Sequence, residues 1–327
     1  MLLTAALVAP LPAGAEPAFF SGKTVKLIVG MPPGGGVDAY ARLLARHIGR
    51  FLPGAPAIVV QNMPGAGSLR SVLALANAPD DGTAIGTFGS SLLTEAISLP
   101  ERVKVDFRGF AFVGNVSADI RVCYLRGALG VRSWPQLLAR AEVVFGGTAP
   151  GTSGNIDTAM LRNLFGVRLK QVQGYAGSAD KRLALEKGEI DGDCGGFTSL
   201  PEDWLRTHKI DIVLRLSSTL LPGLDPAVPF GGDLLPAGRD RQVYDFLTAP
   251  QRLGRLFMLP ASVPAERIAA LRAAFDRMVA DGAFLAEARR SGLTVTPMTG
   301  GEVDRAVTAL YATPGDVLTR WRAIAGE

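Results

Sequence analysis

The chain has 327 residues, 48% hydrophobic and 20% charged, and its 34 basic against 30 acidic residues leave a net charge of only +4. That balance excludes a disordered, charge-rich chain. The scattered arginines form no basic block, so no nucleic-acid partner is expected. The length suggests about two domains, and a mildly basic surface favours anionic ligands by long-range steering.

Residues 1–15 (MLLTAALVAPLPAGA) carry an apolar stretch from Leu2 to Ala9 and a small-x-small site at Ala13-Gly14-Ala15. This reads as a signal peptide without its usual positive start, and it implies export to the periplasm. The stretch is too short and too broken by proline for a membrane span, and no later apolar run reaches the required length.

Residues 23–29 (KTVKLIV) read as a strand stopped by Gly30 and a proline pair. Tyr40, Leu43, Leu44, His47, Ile48 and Phe51 then share one helical face. A strand at 57–61, a helix near 68–77 and a strand at 83–88 follow. That alternation predicts a parallel sheet covered by helices. Two apolar runs within 110–125 mark a crossing into a second unit. There, strands at 142–146, 169–173, 189–194 and 211–216 alternate with helices at 133–140, 155–165 and 177–187. Residues 222–239 are rich in proline and glycine and read as loop. The chain returns near 255–260, and Pro264 opens a helix. A strand at 292–297 and a helix at 301–312 close it. The expected division is a signal peptide (1–15), lobe one (16–121 plus 258–327) and lobe two (122–257). Two connecting segments between lobes make a natural hinge.

Two junctions stand out. Residues 33–38 read P-G-G-G-V-D and residues 150–155 read P-G-T-S-G-N. Both fit P-G-x-x-x-[DN], follow a predicted strand and open a predicted helix. Glycine lets backbone approach a ligand closely. The first N–H groups of a helix lack intrahelical partners and favour an anion. Thr152 and Ser153 add hydroxyl donors. One such site per lobe suits a ligand with a carboxylate at each end. The purely structural reading is that Asp38 and Asn155 cap helices, each worth about 1 kcal/mol.

Other chemistries lack their signatures. No lysine follows either glycine run as in a nucleotide-phosphate loop, and G-x-S-x-G spacing is absent. His47 lies on an apolar stripe and His208 in a polar segment. Asp191 and Asp193 share a strand face, but no third oxygen ligand follows. No catalytic residue, metal or cofactor is nominated. Cys123 and Cys194 could bridge in an oxidising compartment. The sequence favours two buried free thiols, since it cannot supply the short Cα separation a bridge needs.

The run KTVKLIVGMPPGGGVDAYARLLARHI, then IVVQNMPGAG, GTAPGTSGN, QGYAGSADKRLALEKGEIDG and PASVPAERIAALRAAFD, resembles the tripartite tricarboxylate transporter substrate-binding proteins, or Bug proteins. The resemblance implies an α/β two-lobed periplasmic binding protein of type II (a Venus flytrap), each lobe a mostly parallel sheet flanked by helices. It implies a monomer that captures a small organic anion, a carboxylate, and delivers it to the membrane subunits of a tripartite transporter. Ligand contacts would come from Pro33, Gly34, Gly35, Gly36 and Asp38 in lobe one, and from Thr148, Gly151, Thr152, Ser153 and Asn155 in lobe two. Gly89, Ser90 and Ser91, after the third strand, are further candidates.

One departure is visible. Many relatives carry an acid on the loop after the strand matching EID. Here that loop is Gly195-Gly196-Phe197-Thr198. Phe197 and Thr198 are therefore expected at the site, beside a ligand without an ammonium group; the alternative, equally open, is that Phe197 packs inside lobe two, as buried phenylalanines often do. The competing readings are a sensory binding protein that presents its closed form to a membrane receptor, and an α/β enzyme. For the enzyme, no base or nucleophile is nominated by spacing.

Overall fold

The computed structural model describes residues 19–325; the expected signal peptide lies outside them. Strands β1 (Thr24–Val29), β2 (Ala57–Asn62), β3 (Ala84–Thr87) and β4 (Phe110–Asn115) alternate with helices α1 (Gly36–His47), α2 (Leu69–Ala76) and α3 (Ser91–Ser98). Beyond a crossing at 116–120, β5 (Arg121–Arg126) is followed by α4 (Trp134–Ala139), β6 (Val143–Gly146), α5 (Ser153–Asn163) and β7 (Leu169–Val172). Next come α6 (Ser178–Lys187), β8 (Gly192–Gly196), α7 (Glu202–Arg206), β9 (Ile210–Arg215) and α8 (Arg239–Thr248). The chain returns through β10 (Leu256–Pro260) and ends with α9 (Ala265–Val279), α10 (Gly282–Arg290), β11 (Met298–Thr299), α11 (Gly300–Tyr311) and α12 (Gly315–Ala325).

Two sheets result, ordered β11-β4-β10-β3-β1-β2 and β7-β6-β8-β5-β9. In the first, β1 pairs in parallel with β2 and β3, while β10 runs antiparallel between β3 and β4. In the second, β6 is parallel to β7 and β8, and β5 runs antiparallel to β8 and β9. Strands β5 and β10, reversed against their neighbours, each follow a crossing; the short edge strand β11 is also antiparallel to β4. Both β5 and β10 are internal strands, flanked by a partner on each side.

The sequence accounts for these layers. The central strands β3 and β10 are buried throughout, as strands covered on both faces must be. Edge strand β2 alternates exposed and half-buried residues. Tyr40, Leu43 and Leu44 of α1 pack with Phe257, Phe275 and Phe284 on one face of the first sheet. A second apolar cluster runs without a break from Phe88 and Leu92 through Tyr244 and Leu247 to Trp321, joining the two sheets. Within it α12 spans both units. Arg322 Nε donates to Ser98 O of α3 (2.7 Å), and Asn163 Nδ2 of α5 donates to Ile324 O (2.7 Å).

Two expectations change. The expected strand at 292–297 is not laddered. It runs beside the first crossing, where Thr296 N–H donates to Val116 O (3.0 Å) and Ser117 meets the Thr294 and Thr296 hydroxyls. Pairing with β4 begins only after Pro297, at Met298. Cys123 and Cys194 are joined in a disulfide rather than left as free thiols. They lie directly opposite each other on antiparallel β5 and β8, Cα atoms 4.1 Å apart. Close approach of this kind belongs to the non-hydrogen-bonded pairs of an antiparallel ladder, a register that is invisible before the strands are paired.

Candidate functional site

Between the sheets lies a cavity of about 460 Å³, within the range of small-molecule sites. Glycine, alanine and serine make up most of its lining. Five helices begin there: Gly35, Ser68, Ser90, Thr152 and Gly177, the residues preceding α1, α2, α3, α5 and α6, all line it. Each helix start carries N–H groups without intrahelical partners and the positive end of a dipole. The cavity therefore sits where backbone donors converge from both lobes. The lobes also meet around it. Pro32 packs against Gly177, and Arg182 of α6 approaches Gly34 O (3.5 Å).

The two junctions singled out from the sequence use one device. Gly34 and Gly151 hold φ of +81° and +76°, a left-handed conformation that favours glycine. The acid or amide four residues on then braces the loop. Asp38, buried, accepts from Gly34 N–H (3.0 Å), from Asn62 Nδ2 (2.8 Å) and from Arg42 Nε (3.0 Å). Burial pushes its carboxyl up, but these donors outweigh it and hold the group below the ordinary range. Asn155 accepts from Thr148 N–H (3.0 Å) and donates to Gln173 Oε1 (2.9 Å). Neither precedes its helix as an N-cap; both reach back from the first turn.

Of the residues expected at the site, Pro33, Gly35, Gly36, Gly89, Ser90, Thr148, Thr152 and Ser153 line the cavity. Gly34 and Asp38 lie behind it and shape the loop. Ser91 is buried at the start of α3, and its hydroxyl finds no partner among the described residues. Gly151 and Asn155 face a smaller crevice of about 140 Å³ against Glu95 and α12. Phe197 and Thr198 are a correction. They border a separate groove facing α10 and residues 291–296. Phe197 packs with the apolar cluster of Ile120, Val122 and Trp204, because the turn after β8 carries the ring away from the cavity. Gly195 and Gly196 of the same loop do reach the cavity.

The sequence reading missed a buried charge cluster at the cavity floor. Asp119, Arg121, Lys181 and Arg255 line the cavity, and each is less than a tenth exposed. Arg121 donates through Nε to Asp157 (2.6 Å), through Nη1 to Asp119 (3.1 Å) and through Nη2 to Cys194 O (2.9 Å). Arg255 donates through Nη2 to the other Asp119 oxygen (2.7 Å), tying one crossing to the other. Lys181 Nζ donates to Asp193 (2.6 Å), which also accepts from the Tyr124 hydroxyl (3.3 Å). Burial pushes Asp119 up, but the Arg255 and Arg121 guanidiniums prevail and hold it below the usual range. Burial wins at Asp157, pushed up to about 6 against the pull of Arg121. One signal was available: Arg121 interrupts an apolar strand run, two residues from Asp119 and so on the same face.

His47 is buried, with Nε2 2.6 Å from Glu287 of α10; His208 is exposed. Among the described residues no His, Cys, Asp and Glu group is arranged to hold a metal ion.

Comparison with known proteins agrees with this architecture. No family model matches the chain. It is 30% identical over 243 residues to Protein BugT of Bordetella pertussis, covering 71% of each chain. Its fold is similar to that of the periplasmic binding protein BugD (TM-score 0.75, 20% identity, 94% of this chain and 99% of that one). It is also similar to the Rhodopseudomonas palustris protein MatC with bound malate (TM-score 0.71, 19% identity, 94% and 100%).

Proposed function

Since this chain belongs to the Bug family, the periplasmic substrate-binding proteins of tripartite tricarboxylate transporters, we propose that it captures a small organic anion, a mono- or dicarboxylate, between its two lobes. It then delivers that anion, as a monomer, to the membrane subunits of such a transporter. Residues 16–121 with 258–327 would act as one lobe and 122–257 as the other. The segments at 116–120 and 249–255 would serve as the hinge.

The observation that carries this reading is the convergence of five helix starts on one cavity. Such a wall offers donors and positive dipole ends and few acceptors, so it suits an anion. The side chains agree. Among the described residues Asp119 is the one acidic residue lining the cavity, and it already faces two guanidiniums, so none of them leaves a free carboxylate for an ammonium group. Malate in the similar structure is a dicarboxylate. Binding desolvates each carboxylate and re-satisfies it with charge-assisted hydrogen bonds, each worth about 1.5–3 kcal/mol. Contacts from both lobes make the closed form the better binder, which drives closure.

A thermal-shift and calorimetric panel of mono-, di- and tricarboxylates, amino acids and sugars tests the proposal. At a hundredfold excess over Kd, a cognate acid should stabilise the fold by about 2.7 kcal/mol and raise the melting temperature by several degrees. A panel in which no acid shifts the melting temperature, or in which a cationic ligand binds tightest, overturns it.

A further inference from the structure

We infer that Arg255 is the side chain that reads the ligand's carboxylate at the start of α1; the inference rests on the carboxylate reading above. Arg255 is only 4% exposed, yet it lines the cavity. Two of its nitrogens are engaged: Nη1 donates to Gly254 O (2.6 Å) and Nη2 to Asp119 (2.7 Å). Its Nε, equally buried, finds no acceptor among the described residues. A buried donor left without an acceptor is costly, and a ligand oxygen is the acceptor this position can receive.

The guanidinium sits where such an oxygen would arrive. It lies against Gly36, the first residue of α1; a Cβ there would fall 2.8 Å from Nη2 and 3.7 Å from Nε. From the other lobe, Gly196 approaches the same group, its own Cβ position 3.5 Å from Nη2. The third glycine of the first junction is thus needed to admit Arg255, whereas Gly34 is needed for the turn. One carboxylate placed here would take the free N–H groups of the α1 first turn on one side and Nε–H on the other. Arg255 stands immediately before β10 on the return crossing, and its partner Asp119 stands on the outward one. An oxygen on Nε is therefore felt at both hinge segments.

The test is calorimetry of the whole protein with succinate, malate, glutarate and adipate, and with the monoamides of the acids that bind. Arg255→Met should weaken the tightest diacid by about 10- to 100-fold. It should also abolish most of the wild-type preference for diacid over monoamide, which a merely structural role would leave in place. Because Arg255→Met strips Asp119 of one partner, Arg255→Lys, which keeps a positive charge beside Asp119, is measured in parallel. It should lose the diacid preference even where affinity falls less. If wild type binds a diacid and both folded variants bind it within threefold with the preference intact, the inference is overturned and the carboxylate reading stands. If wild type binds none of the acids, both fall together.

Discussion

The two glycine junctions share a pattern and a backbone, yet they differ in what stands behind them. In the first, Gly34 turns the chain, Asp38 pins it, and the α1 start faces a guanidinium with a nitrogen still unpartnered. In the second, Gly151 and Asn155 do the same mechanical work. The floor beneath that loop is closed, however: Arg121 spends its donors on Asp157, Asp119 and Cys194 O, and Lys181 faces Asp193. The first junction thus faces charge still open to a ligand. The other offers hydroxyls and backbone on a floor of paired ions. A repeated motif can therefore fix repeated geometry while its surroundings set different chemistry at each copy.

The sharpest way to break the contrast is to open the closed floor. Arg121→Met would leave Asp157 buried without its partner and Asp119 with only Arg255. Removing one member of a buried ion pair typically costs about 3–5 kcal/mol. A loss of that order is expected in urea unfolding at pH 7. A loss below about 1 kcal/mol would mean that the charges beneath the second junction are not the mutually paired set described.

The next test separates the two turns. Alanine at Gly34 meets no atom within 4 Å, so Gly34→Ala should cost only the left-handed strain, roughly 1–2 kcal/mol. Alanine at Gly151 carries the same strain and also drives its Cβ into the Glu95 carboxylate from the first lobe. Gly151→Ala should therefore destabilise more than Gly34→Ala, and should hinder the approach of the lobes. Equal melting temperatures for the two variants would remove Glu95 from the account.

Much of the fold was legible because alternating strands and helices have local periods. Residues 23–187 read strand by strand almost as they fold, and the first crossing falls inside the run 110–125 expected for it; the return was expected at 255–260, where β10 lies, and the chain crosses just before it, at 249–255. Helix α3 was missed because it opens on Ser90-Ser91 after a glycine, a sequence that also spells a turn. α12, which clasps the two units, carries no motif. At the site, the backbone loops were legible because glycine and proline announce them. The ion cluster was not. Asp119, Arg121, Asp157, Lys181, Asp193 and Arg255 come from two crossings, two strands and two helices, and beyond the Asp119–Arg121 pair no spacing relates them. Of the two readings open for Phe197 the packed one holds, for the converse reason: sequence neighbours of a cavity residue can point away from it, and the side-chain direction after β8 is set by a turn whose geometry is not in the residue names.

The smallest expected effect distinguishes the two braces themselves. Asp38→Ala removes a charge-assisted brace and should cost about 1–2 kcal/mol at pH 7; Asn155→Ala removes a neutral one and should cost about 1 kcal/mol. pH separates them further. Asp38 is held below its ordinary value of 3.8, the donors from Arg42, Asn62 and Gly34 outweighing burial. A depressed carboxylate contributes stability that is whole above the unfolded pKa and is lost as pH falls through the folded one. The penalty of Asp38→Ala should therefore shrink between pH 5 and pH 3, while that of Asn155→Ala, which does not titrate, should stay level. Denaturant midpoints of both variants and of wild type across that interval decide it. A parallel decline in both penalties would mean that the first brace acts by shape alone, and that the charge difference between the two junctions begins only at Arg255.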